Sequence, residues 1–157
     1  MKSITPAALD ALVAEAQASP RRRANLNLHL ELSDPVQRLA IAMEPDTVVF
    51  PHRHPQTFEL LYPLRGRFLV LHFDEQGTVT QRKVLGDDCA VIENPAGRWH
   101  AVLSLDAGGV IFEVKQGPYL ALGPADTAPW SQLAVAADAQ RLLAWYATAR
   151  VGERFTT

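Results

Sequence analysis

Residues 51–66 read PHRHPQTFELLYPLRG, and the spacing within this stretch decides the fold prediction. One residue separates His52 from His54, so on an extended segment both side chains point to the same side, about 6.6 Å apart at Cα. Imidazoles placed in this way can share one metal ion at about 2.0–2.1 Å from each nitrogen. Glu59 follows after a short loop opened by Pro55, and the next strand can return its carboxylate to the same ion.

A second segment, Pro95-Ala96-Gly97-Arg98-Trp99-His100, supplies a further ligand. Its proline and glycine favour a turn, and the strand that follows places His100 inward. Three neutral imidazoles and one carboxylate suit Fe, Zn, Ni, Mn or Cu, and they leave coordination positions open for water or substrate. The sequence therefore predicts one divalent metal ion, Fe, Zn, Ni or Mn in the first instance, bound by His52, His54, Glu59 and His100.

Short apolar runs separated by turn residues fill the middle of the chain. They predict strands over 25–32, 38–43, 47–54, 59–64, 67–73, 78–85, 89–93, 99–105 and 110–115. Eight or nine short strands at regular spacing are typical of an antiparallel sandwich or barrel and not of an α/β sheet. We therefore predict an all-β jelly-roll barrel, with Cys89 buried on one of its strands.

Helical signals stand at both ends of the chain. Thr5 can serve as an N-cap and Pro6 fits the first helical position, so a helix is expected over 5–18. Residues 117–130 are rich in proline and glycine and predict a loop, and the alanine-rich residues 132–149 predict a closing helix. We expect one domain over 1–157, with the N-terminal helix in 1–20, the barrel over 25–116, and the loop and C-terminal helix over 117–157.

Composition and charge exclude several classes of function. The chain has 157 residues and a net charge of −2, from 15 basic and 17 acidic residues, which gives no electrostatic footprint for nucleic acid. No stretch approaches the roughly 18 apolar residues of a membrane span, and the start of the chain lacks the apolar core of a signal peptide. With the single cysteine Cys89, no internal disulfide can form, and a cytoplasmic location is the expectation.

Two motifs of the chain resemble those of the cupin superfamily. The first is matched by His52-x-His54, Glu59 after four further residues and Gly66 after six more, and the core of the second by Pro95-x-Gly97-x-x-His100. Two positions of the second motif depart from the pattern: Cys89 stands where a glycine is usual, and Ser104 where an asparagine is usual. Neither position binds metal in cupins, so the resemblance implies the same four ligands. The alternative is a degenerate cupin whose pocket holds no metal.

A narrower resemblance covers most of the chain. It looks like the WbuC family of cupin-fold metalloproteins, on the segments Asn27-x-His29, Asp34-Pro35-Val36-Gln37-Arg38, Pro51-His52-Arg53-His54-Pro55, Trp99-His100 and Glu113-Val114-Lys115-x-Gly117-Pro118-Tyr119. Genes of that family often accompany those for bacterial surface polysaccharide (O-antigen) synthesis. The resemblance implies a role near sugar or sugar-nucleotide metabolism and a small, sugar-like ligand. It names no reaction.

Six residues outside the metal motif are candidates for the pocket. His29 is the candidate catalytic residue, as a proton donor or a partner of the metal ligands, and the alternative is a half-exposed strand histidine. The candidate substrate-binding residues are Asn27, Gln37, Arg38, Lys115 and Tyr119. For Arg38 the chemical reason is the guanidinium fork, which matches carboxylate and phosphate groups, and the alternative is a surface charge.

Two classes of function remain open at this point. The first is a metal-dependent enzyme of surface-polysaccharide or sugar metabolism, either an isomerase or lyase that uses the ion as a Lewis acid or an Fe(II)-dependent dioxygenase. The second is a non-catalytic sugar-binding or sensing cupin, in which the ion only shapes the pocket. By analogy with other cupins we also expect a homodimer.

Overall fold

Eight strands form two antiparallel sheets in the computed structural model, which describes residues 1–131 and 136–156. One sheet has five strands in the order β1-β2-β8-β3-β6, and the other has three in the order β5-β4-β7. The strands are β1 (Arg23–Asn27), β2 (Val36–Met43), β3 (Glu59–Arg65), β4 (Phe68–Phe73), β5 (Val79–Leu85), β6 (Ile92–Asn94), β7 (Trp99–Ser104) and β8 (Gly109–Gln116). The predicted all-β class, with two helices outside the sheets, is confirmed.

Helix α1 (Pro6–Ala18) covers the outer face of the five-stranded sheet. The Thr5 side chain caps it by accepting from the amide of Ala8 at 3.2 Å, and Pro6 occupies the first turn, as the sequence predicts. The buried side chains of Leu12 and Ala16 belong to an apolar cluster with small residues from the outer faces of three strands, namely Ala24, Ala40, Ala42 and Val110.

Helix α2 (Ala136–Thr148) covers the outer face of the three-stranded sheet. Residues 132–135 of the predicted closing helix lie outside the described residues. Leu142, Leu143 and Tyr146 belong to the apolar cluster that also contains Leu69, Leu71, Phe73, Trp99, Ala101 and Leu103 of β4 and β7. The buried Tyr146 hydroxyl donates to the carbonyl of Val49 at 3.0 Å, which fixes the helix against the segment that leads to the histidines.

Side chains of β4 and β7 are buried on both faces, because α2 covers one face and the larger sheet covers the other. Phe68, Val70 and Val102 alternate with the residues under α2 and pack with Leu61 and Ile111 of the larger sheet. The same alternation brings His72 and His100, which pair directly across β4 and β7, to the interior. The interior is thus apolar at one end and carries polar side chains at the other.

Three strand predictions are wrong in detail. Residues 47–54 form no regular strand but an extended segment, because Pro51 and Pro55 have no N–H to donate to a ladder. The strand predicted over 25–32 ends at Asn27, where the chain turns toward β2. The strand predicted over 89–93 begins only at Ile92, and Cys89 is half-buried in an isolated bridge to Leu85.

Neither helix in the described part of the chain is long and apolar enough to cross a membrane. The cytoplasmic location and the homodimer stay predictions.

Candidate metal centre and its cavity

Backbone hydrogen bonds hold two of the predicted ligands side by side. The amide of His52 donates to the carbonyl of His100 at 3.0 Å, and the amide of His100 donates back to the carbonyl of His52 at 2.9 Å. His54 follows on the same extended segment, and Glu59 is the first residue of β3. The structure therefore brings together all four residues for which the motif spacing predicts metal binding.

Their side chains form one compact cluster. Nε2 of His54 lies 2.8 Å from Oε1 of Glu59, and Nε2 of His100 lies 2.8 Å from Oε2 of the same carboxylate. One ligand atom from each of the four residues lies within 4.8 Å of the other three. An ion bound at about 2.1 Å keeps its ligand atoms about 3–4.2 Å apart, so the cluster fits an ion with small side-chain adjustments.

Ring hydrogen bonds set the tautomer of two of the histidines. Nδ1 of His52 lies 2.9 Å from the carbonyl of Phe50, and Nδ1 of His100 lies 2.8 Å from the carbonyl of Arg98. Because a carbonyl only accepts, Nδ1 carries the proton in each neutral ring, and the lone pair of Nε2 is directed to the cluster. Nε2 of His100 is buried and, despite its short distance to Glu59, lacks the alignment of a hydrogen bond. A buried, unpartnered nitrogen among such donors is a position that a metal ion would satisfy.

Protonation states in the cluster also suit a metal ion. Burial, followed by the proximity of His100, lowers the pKa of His52 to about 3. Burial alone would raise the pKa of Glu59, but its contacts with His100 and His54 outweigh burial and hold it well below its usual range. Burial lowers the pKa of His100, but the Glu59 carboxylate outweighs this and raises it. A bound ion would take over the attraction that the Glu59 carboxylate now exerts on these rings.

Two further buried residues orient the Glu59 carboxylate, and sequence reasoning gave neither of them a role. The Asn94 amide donates to Oε2 of Glu59 at 3.5 Å, and its own oxygen lies 2.7 Å from Nε2 of His72. The buried imidazole therefore fixes which way the amide points. The pairing of His72 with His100 across β4 and β7 brings it to the site, and only the strand register shows this.

A buried lysine links the cluster to a second carboxylate. Nζ of Lys115 lies 3.2 Å from Oε1 of Glu59 and 2.8 Å from Oε1 of Glu113. Glu113 and Lys115 are two residues apart on β8, so both point into the interior. Burial, with the charge of Glu59 adding to it, raises the pKa of Glu113. This pairing could have been predicted from the sequence. If Lys115 faces inward, strand alternation turns Glu113, two residues before it, inward as well.

The cluster lies at one end of a cavity of about 580 Å³. Apolar side chains form part of the wall, among them Leu39, Ile41 and Met43 of β2, Leu61 of β3 and Ile111 of β8. Polar side chains from β1 and β8 line another part, and Tyr119, Leu120 and Leu122 of the loop after β8 stand at the edge. The cavity therefore has polar groups, the candidate metal centre and an apolar wall in one space, which is typical of small-molecule sites.

Four of the five predicted substrate-binding residues line this cavity, namely Asn27, Gln37, Lys115 and Tyr119. The Gln37 amide nitrogen is already used, because it donates to the carbonyls of Asp34 at 2.8 Å and Leu32 at 3.2 Å. Tyr119 is half exposed at the edge. Asn27 has an exposed side chain that no described residue engages.

His29, the predicted catalytic residue, also lines the cavity and is buried, but it lies in the turn after β1 and not on a strand. Its Nδ1 is 3.0 Å from both the amide nitrogen and the carbonyl oxygen of Arg38. The backbone thus holds one ring nitrogen, and Nε2 has no hydrogen bond to any described residue.

Arg38 does not line the cavity, contrary to its predicted role in substrate binding. It stands between Gln37 and Leu39 on β2, and because these two face the interior, strand alternation turns Arg38 outward. Its guanidinium pairs with Asp34 at 3.4 Å on the surface. An arginine on the outward face of β2 therefore cannot place its guanidinium against a carboxylate or phosphate group of a ligand in the cavity.

Five polar lining residues were missing from the sequence-based set of pocket residues: Arg21, Arg23, Asn25, Glu113 and Thr127. The three on or next to β1 continue the alternation of Asn27 toward the start of the strand. Extending that alternation backward from Asn27 would have found Arg23 and Asn25.

Known structures share the fold of this chain. TT1209 from Thermus thermophilus superposes with a TM-score of 0.53 at 20% identity, over 75% of this chain and 96% of that one. A recombinant oxalate oxidase in complex with glycolate superposes with a TM-score of 0.53 at 16% identity, over 76% of this chain and 61% of that one. KdgF from Halomonas sp. superposes with a TM-score of 0.51 at 14% identity, over 65% of this chain and 84% of that one. Fold and site together define a cupin-fold protein with a cluster that can hold a metal ion. The predicted jelly-roll fold is confirmed.

The family of the chain is also defined. Residues 4–85, more than half of the chain, match the family described as a domain of unknown function, DUF6016, and the chain belongs to it. No curated protein matches the sequence.

Proposed function

We propose that this chain is a mononuclear metal-dependent cupin that acts on a small, sugar-like ligand in surface-polysaccharide or sugar metabolism. One observation carries the proposal: His52, His54, Glu59 and His100 converge at the end of a cavity that is large enough for a sugar-sized molecule. The resemblance of five sequence segments to the WbuC family supports the sugar-related role. The ligands fit Fe, Zn, Ni or Mn.

A divalent ion bound by these residues would supply Lewis-acid polarisation of a ligand oxygen. The protein's own groups provide the rest of the chemistry. Lys115 and Glu113 stand beside the cluster as a hydrogen-bonded cation and carboxylate, and the raised pKa of Glu113 suits it to hold a proton at Oε. His29 offers its Nε2 to the cavity from a ring that the backbone holds in place. The two groups line the same cavity, so a proton could leave one position of a ligand and return at another.

The apolar wall serves to orient the ligand and exclude water. Leu39, Leu61 and Ile111 face the interior on three adjacent strands. They offer a surface to the C–H face of a sugar, while the polar side chains of β1 and β8 reach its hydroxyl groups. Such a division between an apolar surface and a few placed polar groups is typical of specific small-molecule sites.

The first test is elemental analysis of the protein purified without added metal and without a tag. About one equivalent of a single metal is expected for the wild type, and a His52→Ala/His100→Ala variant should lose it. An Arg53→Gln variant is the matched control, because Arg53 lies between two ligands in sequence but makes its ion pairs with Glu75 and Asp126. A wild type that stays free of metal after incubation with Zn²⁺, Mn²⁺ and Fe²⁺ would overturn the proposal.

The same preparation separates enzyme from binding module. Iron in the wild type, with oxygen consumption on addition of a ligand, would favour the dioxygenase. Turnover that His54→Ala abolishes without unfolding the protein would establish an enzyme. Ligand-dependent thermal stabilisation without turnover would support the sensing function in its place.

A further inference from the structure

One strand supplies polar side chains to a part of the cavity away from the histidines. Arg23, Asn25 and Asn27 alternate along β1, and all three line the cavity. Within residues 1–131 and 136–156, no hydrogen bond or ion pair engages their side chains. The chain thus places a guanidinium and two amides at the cavity surface with their bonding capacity unused.

The turn before β1 adds a second arginine to the same place. Arg22 adopts a left-handed conformation with φ of 56°, which is uncommon for a residue other than glycine. Its carbonyl accepts from the amide of Glu44 at 3.1 Å and from the Thr47 hydroxyl at 2.5 Å, and its guanidinium binds Asp46. These contacts hold the strained turn, and both flanking residues, Arg21 and Arg23, line the cavity.

The charges that line the cavity are not balanced. Three cationic side chains, Arg21, Arg23 and Lys115, face two carboxylates, Glu59 and Glu113, which leaves one positive charge in excess with the histidines neutral. Both carboxylates are bound by Lys115, so the excess lies on the arginines. A divalent ion would raise this excess to three positive charges, although the whole chain carries a net charge of −2.

Burial supports this assignment of the excess charge. Burial lowers the pKa of Arg23, the charge of Arg21 lowers it further, and the charge of Glu113 offsets only part of the effect. A half-buried guanidinium without a hydrogen-bonded counter-ion has more to gain from an anion than one in water.

We propose that Arg23, together with Arg21, binds the carboxylate or phosphate group of a polyhydroxylated ligand whose oxygens reach toward the histidine cluster. The guanidinium fork accepts either group in a bidentate manner, and Asn25 and Asn27 are placed to bond hydroxyl groups. This assignment names the ligand class for the function proposed above and rests on it.

Strand register supports a ligand of about this size. Asn27, Leu39, Glu113 and Leu61 form one row across β1, β2, β8 and β3. Three inter-strand steps span about 14 Å between backbones. Arg23 lies two rows from Asn27, opposite Met43, and its side chain lines the same cavity of about 580 Å³, which has room for a sugar acid or sugar phosphate of monosaccharide size.

The test is calorimetric titration of the zinc-loaded protein with galacturonate, galactose 6-phosphate and galactose. The three probes have the same sugar ring. Galacturonate carries a carboxylate, galactose 6-phosphate carries a phosphate, and galactose is uncharged. We expect at least one charged probe to bind about tenfold more tightly than galactose or better, and Arg23→Gln to remove that advantage. Arg38→Gln, an outward arginine on the neighbouring strand, is the matched control and should keep it.

Two outcomes contradict the proposal. A charged probe that binds no better than galactose would overturn it, and so would a preference that survives in Arg23→Gln, since the anion would then sit on the ion alone. Zinc content and binding by chelator-treated protein are measured in parallel. Failure to take up zinc, manganese and iron alike removes the proposed function, whereas a charge preference that chelator-treated protein retains and Arg23→Gln loses would still establish the arginine subsite.

Discussion

The two parts of the cavity differ in how the fold holds them. In the candidate metal centre, side chains come from the extended segment before β3, from β3 itself and from β7, and Glu59 and His100 are almost fully buried. In the arginine part, Arg23, Asn25 and Asn27 come from a single strand, and the two asparagine side chains are exposed. The first part cannot change without disturbing several elements, whereas the second can vary at little cost to the fold. A fold of this kind can thus keep one part of its cavity constant while another part changes.

Lys115 forms the boundary between the two parts. It forms ion pairs with Glu59, which belongs to the candidate metal centre, and with Glu113, which stands on β8 in the same row as Asn27. Its charge keeps two buried carboxylates together in the absence of a metal ion. Removal of this charge should therefore destabilise the protein more than the loss of Asn94 or of an arginine.

Lys115→Met should lower the free energy of unfolding of the metal-free protein by about 3 kcal/mol, because two buried carboxylates then face each other without a cation. Metal loading should recover part of the loss, since the ion neutralises Glu59. Urea unfolding with and without zinc measures both quantities.

Two variants control for the loss of a lysine in general. The double variant Lys115→Met/Glu113→Gln should regain most of the stability, and Lys83→Met, on the exposed part of β5, should lie within about 0.5 kcal/mol of the wild type. If Lys115→Met were as stable as Lys83→Met, the buried charge network would not contribute in the way described.

Asn94→Leu tests whether a residue that hydrogen-bonds to Glu59 affects how tightly the candidate metal centre binds zinc. The change removes the donor to Oε2 of Glu59 and leaves the His72 ring without its acceptor. We expect the affinity for zinc to fall about tenfold, at the low end of what such partners contribute, because the donor distance is 3.5 Å. Competition with a chromophoric chelator measures the change.

A matched variant separates orientation from packing in this prediction. His72→Phe retains the Asn94 donor and removes only the group that orients it, so its affinity for zinc should fall less than that of Asn94→Leu. Equal affinities in the wild type and in a folded Asn94→Leu variant would show that Asn94 does not position Glu59.

Sequence alone could predict the fold and the grouping of the four candidate ligands, because both depend on short-range spacing. His52 and His54 are two residues apart, and each of the other two follows a turn marked by proline or glycine. In the rest of the cavity, alternation along one strand could have linked Arg23 and Asn25 to Asn27, and Glu113 to Lys115, but it could not show which strands lie side by side. Arg23 and Glu113 come to line one cavity only through the pairing of β1, β2 and β8, and register between distant segments leaves little signal in a single sequence.

Local rules also failed where tertiary structure decides. The alternation of residues 47–54 predicts a strand, but Pro51 and Pro55 cannot donate to a ladder, and the segment is held instead by its bridge to His100. This irregular segment carries two of the four candidate ligands. The departure from regular structure is thus found at the site itself, where sequence-level rules are expected to fail.

Arg38→Gln should have the smallest effect of all. Its side chain is exposed to nearly half of its maximum, and its ion pair with Asp34 spans 3.4 Å on the surface, so the free energy of unfolding should change by no more than about 0.5 kcal/mol. Zinc content and the preference for charged sugars should equal those of the wild type, because strand alternation turns this side chain away from the cavity. Calorimetric titration beside Arg23→Gln makes the comparison at constant net charge. An equal loss of anion binding in both variants would mean that the charge of the protein as a whole, and not the strand position of one arginine, attracts the ligand.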